Sequence, residues 1–427
     1  MLDSFDIQII SHASSIRNHP VSQLPMPIRE NYLQGLRAML PMENPAVGVL
    51  FKALESSIIG KGQTLNYDSS NPKANVKMAV KVNRIRLRWF RLTYPFFFDC
   101  LYLSSLCNDP TFTQAQYKRL RHYCNLFTKT ALRRVYRHFV DKGTHRKIPA
   151  ALLEHKQLNE RFQALPLTRI LVVANVSAGK STLINALVGR KLNKTATGAC
   201  TKDTCMIFNK PQEDGLTIRP RNTKTFVFEE DVNLCASDES EAIGLNFISD
   251  TLKGQRICFI DTPGFNDVRN PGRYYTTEQA IRRNDYDAVM YVANASYMGR
   301  VDEQYLLEDI VRNTRKPIIF VMNCLDRFKP SEDSIEDSIK KYREDLFKLG
   351  LKRPLIVPVS ARLALLTKLR DQGLLDEEDE FEWEMGNKRF ANDFFDLSWY
   401  VKDGFPTHSE KLIDRTGITY LEQVISG

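Results

Sequence analysis

From residue 169 onward, short runs of continuous apolar residues alternate with stretches of helical periodicity. The five runs are 170–173, 257–260, 288–292, 318–322 and 355–359. Strands that are apolar throughout are covered on both faces, and their alternation with helices is typical of a parallel sheet. Three further runs, 205–208, 216–219 and 225–228, predict additional edge strands. The pattern therefore predicts an α/β fold with a mostly parallel sheet.

Residues 1–165 show a different pattern, with apolar positions at intervals of three and four, which predicts helices. The segments concerned are 28–40, 76–92, 114–139 and 149–165, and the apolar stretch 94–106 predicts a buried helix. We therefore predict an all-helical N-terminal domain, 1–165, followed by the α/β domain, 166–427. Within the latter, segment 376–384 has seven acids in nine residues, and like-charge repulsion predicts an extended, solvated insertion.

Charge is distributed unevenly between these regions. Residues 1–150 contain 22 Lys and Arg against 9 Asp and Glu, an excess of +13, whereas the whole chain is +9. Such an excess indicates an anionic membrane, an acidic partner or, as a weaker candidate, nucleic acid. A solvated, lysine-rich helical surface is the plain alternative.

Cysteine usage and hydropathy bear on location. None of the eight cysteines forms a Cys-x-x-Cys pair, and no signal peptide opens the chain. This predicts reduced thiols and a cytoplasmic protein. No apolar stretch is long enough to span a bilayer, so any membrane contact would be peripheral, at its inner face.

The strongest chemical signal directly follows the first apolar run, at Ala174-Asn-Val-Ser-Ala-Gly-Lys-Ser-Thr182. A phosphate chain needs inward-pointing backbone N–H groups from small residues, a lysine for the β- and γ-phosphates, and a hydroxyl for Mg²⁺. Lys180 and Ser181 fill the last two roles. The candidate nucleotide-binding residues of this loop are Asn175, Val176, Ser177, Ala178, Gly179, Lys180, Ser181 and Thr182.

Two later segments fit the γ-phosphate end of such a site. Asp261-Thr-Pro-Gly264 ends a very apolar run, where Asp261 can reach Mg²⁺ through water and the Gly264 N–H can contact the γ-phosphate. The loop Thr195-Ala-Thr-Gly-Ala-Cys-Thr-Lys-Asp-Thr204 offers a threonine to close over Mg²⁺. Thr201 is the preferred candidate and Thr197 the alternative.

Base selection is predicted at Asn323-Cys-Leu-Asp326, after the fourth apolar run. The Asp326 carboxylate can accept two hydrogen bonds from guanine, which adenine cannot supply, so Asn323 and Asp326 are candidate base contacts. Ser360 and Ala361, after the fifth run, form a small loop suited to the guanine oxygen.

Taken in order, these five motifs resemble those of Ras-type P-loop GTPases. The run Val176-Ser-Ala-Gly-Lys-Ser-Thr-Leu-Ile-Asn-Ala-Leu-Val-Gly189 is most similar to bacterial dynamin-like GTPases, with Era-like GTPases second. The resemblance implies binding of GTP and GDP with Mg²⁺, and hydrolysis of GTP to GDP and phosphate. It implies metal contacts from Ser181, Thr201 and Asp261, and catalytic roles for Lys180, Ser177 and Thr201.

The resemblance also shows where this chain departs from its relatives. In dynamins the P-loop serine helps to place a monovalent cation, and Ser177 matches it, which adds K⁺ as a candidate cofactor. Val176 stands where eukaryotic dynamins have glutamine, and Phe265 follows the Asp-x-x-Gly motif where Ras-type enzymes have the water-orienting glutamine. Cys324 stands where the base motif normally has lysine.

Three functions follow as hypotheses. The leading one is a GTP-hydrolysing, dynamin-like switch that forms a homodimer through its GTPase face and acts at a membrane or in a larger assembly. The second is a nucleic-acid- or ribosome-associated Era-like GTPase whose basic domain binds phosphate backbones. The third is a module that binds GTP with little hydrolysis.

Overall fold

The computed structural model describes residues 16–60, 63, 65–68, 70–80, 82–85, 88–106, 110–141, 147–192, 204–222, 225–230, 242–264, 272–298, 301–401 and 408–427. Two compact units divide the chain. The first contains Met1–Leu165 and Lys210–Glu230, and the second contains Pro166–Asn209 and Asp231–Gly427. The first unit thus takes in a segment from beyond the predicted boundary at residue 165.

Helices and strands follow one another along the chain in a mixed order. Up to residue 165 they are α1 (Met26–Met39), α2 (Pro45–Ile59), α3 (Pro72–Ala79), β1 (Val82–Ile85), β2 (Arg88–Arg91), α4 (Thr93–Ser105), α5 (Pro110–Tyr123), α6 (Leu126–Asp141) and α7 (Ala150–Ala164). From there to residue 261 they are β3 (Thr168–Ala174), α8 (Lys180–Val188), β4 (Cys205–Asn209), β5 (Leu216–Asn222), β6 (Thr225–Glu230), β7 (Ala242–Leu245) and β8 (Ile257–Asp261). The remainder are α9 (Gly272–Arg283), β9 (Ala288–Asn294), α10 (Val301–Asn313), β10 (Ile318–Asn323), α11 (Ile335–Lys348), β11 (Leu355–Pro358), α12 (Ala361–Asp371), α13 (Glu377–Phe390), α14 (Leu412–Arg415) and α15 (Ile418–Ser426).

The first unit is mostly helical, as predicted, but it also contains two antiparallel hairpins, β1–β2 and β5–β6. The predicted helix 76–92 is wrong beyond Ala79, because β1 and β2 pair with Val82 opposite Arg91. This segment is rich in β-branched and aromatic residues, which favour strands. The predicted helix 114–139 is two helices, and the side chain of Asn125 starts the second by accepting from the Thr128 N–H at 3.0 Å.

The core of the first unit forms around α4, in which every residue from Pro95 to Ser104 is buried. One of these residues is charged. The Asp99 carboxylate accepts from the Tyr32 hydroxyl at 2.5 Å and lies 3.0 Å from His19 Nε2. Burial of the charge is therefore compensated by polar partners.

In the second unit, the described strands lie in the order β11–β10–β9–β3–β8–β4–β7. Neighbouring strands in this order are parallel except β4 and β8, which are antiparallel. All five long apolar runs are strands of this sheet, so the predicted mostly parallel α/β fold is confirmed. The edge-strand runs are also strands, β4, β5 and β6.

Helices α8, α12 and α15 bury their apolar side chains in the core of this sheet. The core includes Val172, Phe259, Leu183, Leu187, Leu365, Leu369, Leu421 and Ile425. The parallel register places Val172 opposite Asp261 and Asn294 opposite Asn323. The carboxyl ends of the central strands therefore meet at one edge of the sheet, where open α/β folds bind ligands.

The prediction of an extended acidic segment is wrong, because residues 376–384 form the N-cap and the first half of α13. Its acids are concentrated in the first helical turn, where the helix dipole stabilises negative charge. Asp376 caps the helix by accepting from the Asp379 N–H at 2.9 Å. Arg362 neutralises part of the charge through hydrogen bonds of 3.0 Å to both carboxylate oxygens of Glu382.

Among the helices that the structure describes, none is long and apolar enough to cross a bilayer.

Candidate functional site

The loop 174–182 connects β3 to α8 at the carboxyl edge of the sheet. It turns back on itself, since the Ala178 N–H donates to the Asn175 carbonyl at 3.2 Å. Ser177 (φ 67°) and Gly179 (φ 82°) adopt left-handed backbone to complete the turn. The loop then enters α8, whose first N–H groups have no acceptor within the helix, so this end is suited to an anion.

Two strand-end asparagines hold the loop from outside. Asn294, which ends β9, donates from Nδ2 to the Ser177 carbonyl at 3.1 Å, and Asn323, which ends β10, donates to the Ala178 carbonyl at 3.0 Å. Contact with Asn323 is so close that a Cβ at Gly179 would lie 2.3 Å from its Nδ2. Only glycine fits there without displacing the asparagine.

Lys180 and Asp261 form a buried ion pair at the start of α8. The Lys180 ammonium donates to the Asp261 carboxylate, and the two side chains are 8% and 1% exposed. Ser181 and Thr182 follow in the same first turn and are half-buried. A cation, a carboxylate and a hydroxyl are thus close to the N-terminus of one helix.

The turn after Asp261 lies against the loop. The Thr262 hydroxyl donates to the Val172 carbonyl at 2.8 Å, which fixes the start of the turn. A Cβ at Gly264 would lie 3.2 Å from Cγ2 of Val176, a side chain that is itself 41% exposed. The Asn175 carboxamide oxygen is buried nearby without a partner in the described part of the chain.

The neighbouring part of the carboxyl edge of the sheet brings together a second cluster, formed by Asn323, Asp326, Ser360 and Ala361. Oδ1 of Asn323 accepts from the Ala361 N–H at 3.0 Å, and the Ser360 hydroxyl donates to Asp326 Oδ1 at 3.0 Å. Asn323 therefore bridges the phosphate-type loop to this second cluster, because its amide nitrogen bonds Ala178.

Cys324 takes a left-handed backbone conformation, with φ 68°, between these residues. Its thiol is 9% exposed, and burial, reinforced by the negative charge of Asp326, raises the pKa of the thiol to about 11. The residue is therefore a neutral, weakly polar side chain at pH 7.

An insertion of about 50 residues supports the second cluster. The Ser360 N–H donates to the Thr416 carbonyl at 2.9 Å, and Gly417 packs so closely that a Cβ would lie 2.0 Å from the Pro358 carbonyl oxygen. The chain thus leaves the sheet edge at Ala361 and returns to the same point, and helices α12, α13 and α14 lie within the excursion.

Helix α13 of this insertion reaches Asp326 directly. The Arg389 guanidinium donates to the Asp326 carbonyl and lies 5.3 Å from the centroid of the Phe395 ring. These three residues line one side of an open groove of about 580 Å³, with α12 and α13 forming the rest.

Comparisons with known proteins give matches of two kinds, to the dynamin family and to the GTPase Era. The model of the dynamin family matches residues 170–325. The GTPase Era of Clostridioides difficile is 27% identical over 194 residues, which are 45% of this chain and 49% of that protein. Era of Clostridium perfringens (strain ATCC 13124) is 27% identical over 165 residues, or 38% of this chain and 42% of that protein. The second unit is a P-loop GTPase domain.

Solved structures with a similar fold are more distant. Aquifex aeolicus Era bound to GDP and AlF₄⁻ covers 58% of this chain and 61% of its own, with 19% identity and a TM-score of 0.30. A member of an oligomerised bacterial dynamin pair covers 56% of this chain and 39% of its own, with 14% identity and a TM-score of 0.35. The chain spans about half the length of the curated relatives that it matches.

The GTPase domain has oxygen donors that fit Mg²⁺, a cation that prefers such ligands. Ser181 offers a hydroxyl and Asp261 a carboxylate at the same helix N-terminus. The other predicted contact, Thr201, lies outside the described residues, as do Thr197 and Phe265.

Sequence reasoning missed two residues of this site. Asn294 follows an apolar run just as Asn323 does, so its position at a strand end was an available signal. For Arg389 the sequence contains no comparable signal, because this residue lies 63 residues from Asp326 in the chain, in a segment outside the motifs.

Proposed function

We propose that this protein binds GTP and GDP with Mg²⁺ and hydrolyses GTP as a switch of the dynamin/Era type. The observation that carries the proposal is the shared edge on which two clusters meet. Lys180 and Asp261 lie at a helix N-terminus. Asn323 links the loop before that helix to the second cluster, because it donates to the Ala178 carbonyl and accepts from the Ala361 N–H, each at 3.0 Å. A polyphosphate and a purine base can therefore be bound by one rigid unit.

For the phosphate end we propose a direct role for each polar group. The loop N–H groups and Lys180 would bind the β- and γ-phosphates, Ser181 and Asp261 would hold Mg²⁺, and Gly264 would contact the γ-phosphate. Thr201 would complete the metal site from the loop that follows. Mg²⁺ neutralises the charge that develops on the phosphates during transfer.

At the base end, Asp326 would accept from guanine N1 and N2. Its carboxylate is already oriented, because Ser360 donates to one of its oxygens at 3.0 Å. Preorganisation of this kind increases affinity, since fewer groups must be ordered on binding. The backbone of Ser360 and Ala361 would contact the guanine oxygen.

Val176 and Phe265 stand at the two positions where the GTPases that this chain resembles have a glutamine that supports hydrolysis. We therefore propose that a second copy completes the catalytic site through the GTPase face, with K⁺ assisting beside Ser177. This would make the protein a nucleotide-dependent homodimer. The positive charge of the first unit fits an anionic membrane surface or an acidic protein, with nucleic acid as the alternative partner.

Phosphate release under multiple turnover tests this proposal. We expect release that requires Mg²⁺, prefers GTP over ATP, and shows a specific activity that rises from nanomolar to micromolar protein and is higher in K⁺ than in Na⁺. A specific activity that stays flat over this range would exclude the homodimer. Tight GTP binding without release would indicate the binding module.

A further inference from the structure

The helical hairpin α5–α6 of the first unit carries a dense positive charge. Between residues 110 and 141 the chain has seven Lys and Arg and a single acid, Asp141. All seven cations are exposed: Lys118, Arg119, Arg121, Lys129, Arg133, Arg134 and Arg137. The helices bury their apolar side chains on the other side, as Leu120, Leu132 and Val135 show.

Most of these cations have no anionic partner. Arg119 donates to the Ala38 carbonyl at 3.3 Å and Arg134 to the Tyr94 hydroxyl at 3.2 Å. The other five form no ion pair with any carboxylate in the described ranges. Their charge is therefore available to an external anion.

Exposed cations of the GTPase domain behave differently. Several of them pair with an acid three or four residues away on the same helix or turn, namely Lys253 with Asp250, Arg282 with Glu278, Lys329 with Glu332 and Lys348 with Asp345. An ordinary solvated surface mixes both signs in this way. The α5–α6 face lacks such acids, which distinguishes it from the surface of the same chain elsewhere.

On α6, the cations form a regular stripe. Lys129, Arg133 and Arg137 are spaced by four residues, so they lie on one face at intervals of about 6 Å. Like charges at this spacing destabilise a helix. A stripe that opposes the stability of its own helix is consistent with selection for binding.

An aromatic pair lies between the two helices. Tyr117 of α5 and Tyr136 of α6 stack with ring centroids 4.1 Å apart and an interplanar angle of 25°, and both side chains are partly exposed. Arg121 is one helical turn from Tyr117, and Arg133 is one turn from Tyr136. The face therefore combines an aromatic surface with bordering guanidinium groups.

We propose that the α5–α6 face binds single-stranded nucleic acid. The cation stripe would contact the phosphate backbone, and the Tyr117–Tyr136 pair would offer a surface on which a base stacks. A helix that inserts into a membrane instead needs an exposed apolar face. Where side chains of α5 and α6 are described, Val140 is the one exposed large aliphatic residue. This inference concerns the first unit and does not rest on the GTPase cycle.

The test measures binding of the full chain to fluorescent oligo-U and oligo-dT of about 20 nucleotides, a length that covers one or more typical sites. The charge variant combines Lys129→Gln, Arg133→Gln and Arg137→Gln. We expect at least tenfold weaker binding, and a fall of about 2 in the slope of log affinity against log salt, because each lost phosphate contact removes about 0.7. The matched control combines Lys253→Gln, Lys329→Gln and Lys348→Gln, and it should bind as the parent does.

A second variant separates stacking from charge. Tyr136→Ala should weaken binding about tenfold with an unchanged salt slope, whereas Tyr136→Phe, which keeps the ring, should bind as the parent does. GTP binding and the thermal unfolding midpoint of each variant show whether the fold is intact. Stronger binding to oligo-U than to oligo-dT would identify RNA as the nucleic acid.

Three outcomes would overturn the proposal. One is the absence of oligonucleotide binding by the parent at low salt. Another is equal loss of binding in the charge variant and its matched control. The third is binding to phosphatidylserine vesicles, lost in the charge variant, without oligonucleotide binding, which would assign the face to a membrane. Each of these leaves the phosphate-release test of the GTPase domain unaffected.

Discussion

In the proposed nucleotide site, the phosphate half (residues 174–182 with Asp261) and the base half (Asn323, Asp326 and Ser360) differ in what supports them. Asparagines at the ends of two central strands hold the phosphate half, through hydrogen bonds of 3.1 and 3.0 Å to its loop. The base half also rests on the insertion between Ala361 and Thr416, since Arg389 contacts Asp326 and the Thr416 carbonyl accepts from Ser360.

This difference predicts how strongly the affinity of each half depends on residues outside the site. The strands that carry the phosphate half are buried, β8 along its whole length and β3 from Ile170 to Ala174, so their geometry is fixed by packing. The base half also depends on Arg389, an exposed side chain that reaches Asp326 from outside the sheet core. Interactions of exposed charged groups are individually weak and are screened by salt. Affinity for the base should therefore respond more readily to changes outside the site than affinity for the phosphates.

Lys180→Ala should have the largest effect, because it removes the fixed cation of the phosphate half. Charged hydrogen bonds contribute about 1.5–3 kcal/mol each, so loss of two would weaken GTP at least 100-fold. The buried Asp261 also loses its partner, so the unfolding midpoint should fall. Binding of a fluorescent GTP analogue measures the first effect and calorimetry the second.

The control for Lys180→Ala is Lys253→Ala, which removes an exposed lysine of the same domain, 62% accessible. It should bind GTP as the parent does. Parent-like affinity in Lys180→Ala itself would contradict the assignment of the phosphate loop.

Asp326→Asn should weaken GTP about 100-fold and favour xanthine nucleotides, since the amide can donate to the xanthine oxygen where the carboxylate accepted. Competition between GTP and XTP measures the reversal. Asp345→Asn changes a partly exposed acid that is paired with Lys348; it is the control and should keep the GTP preference. Unchanged preference in Asp326→Asn would move base recognition to another residue.

The phosphate half was largely predictable from sequence because its parts are local. A strand, a loop of nine residues and a helix are contiguous in the chain, and the apolar runs fix the strand ends at which Asp261 and Asn323 lie. Support of the base half was not predictable. Arg389 acts across 63 residues, and its helix begins in an acidic run whose repulsion suggested an extended chain.

The same limit explains the other errors. Charge repulsion in 376–384 is offset by the N-cap of Asp376, by the helix dipole and by Arg362, none of which follows from composition. Apolar spacing in 76–92 fits a helix and a hairpin almost equally, because the strands are only four residues long. Short segments are decided by the contacts that they find in the fold.

Arg389→Ala sharpens the comparison, since it changes the support of the base half and leaves both halves themselves intact. Loss of one partly exposed hydrogen bond should cost about 1 kcal/mol, or about fivefold in affinity. GTP and GDP share the base, so both should weaken by the same factor. Titration of each nucleotide measures this ratio.

Lys388→Ala removes the neighbouring exposed cation and serves as the control for Arg389→Ala, with affinities close to those of the parent. A change in the GTP-to-GDP ratio on loss of Arg389 would show that the insertion acts on the phosphate half as well. The two halves would then not be independent.

Cys324→Lys should have the smallest effect and the opposite sign. Cys324 stands where related GTPases carry lysine, and its thiol, with a pKa raised to about 11 by burial and by Asp326, is neutral at pH 7. A lysine stem would add apolar contact to the base while its ammonium reaches solvent. We expect about a fourfold gain in GTP affinity, since contact of one methylene contributes about 0.8 kcal/mol. Cys324→Ala separates this gain from loss of the thiol and should leave affinity unchanged.

If the lysine variant gains nothing over the alanine variant, then Asp326 and the insertion supply the base affinity without the residue at 324. The base half would then have exchanged a local contact for support from a distant helix.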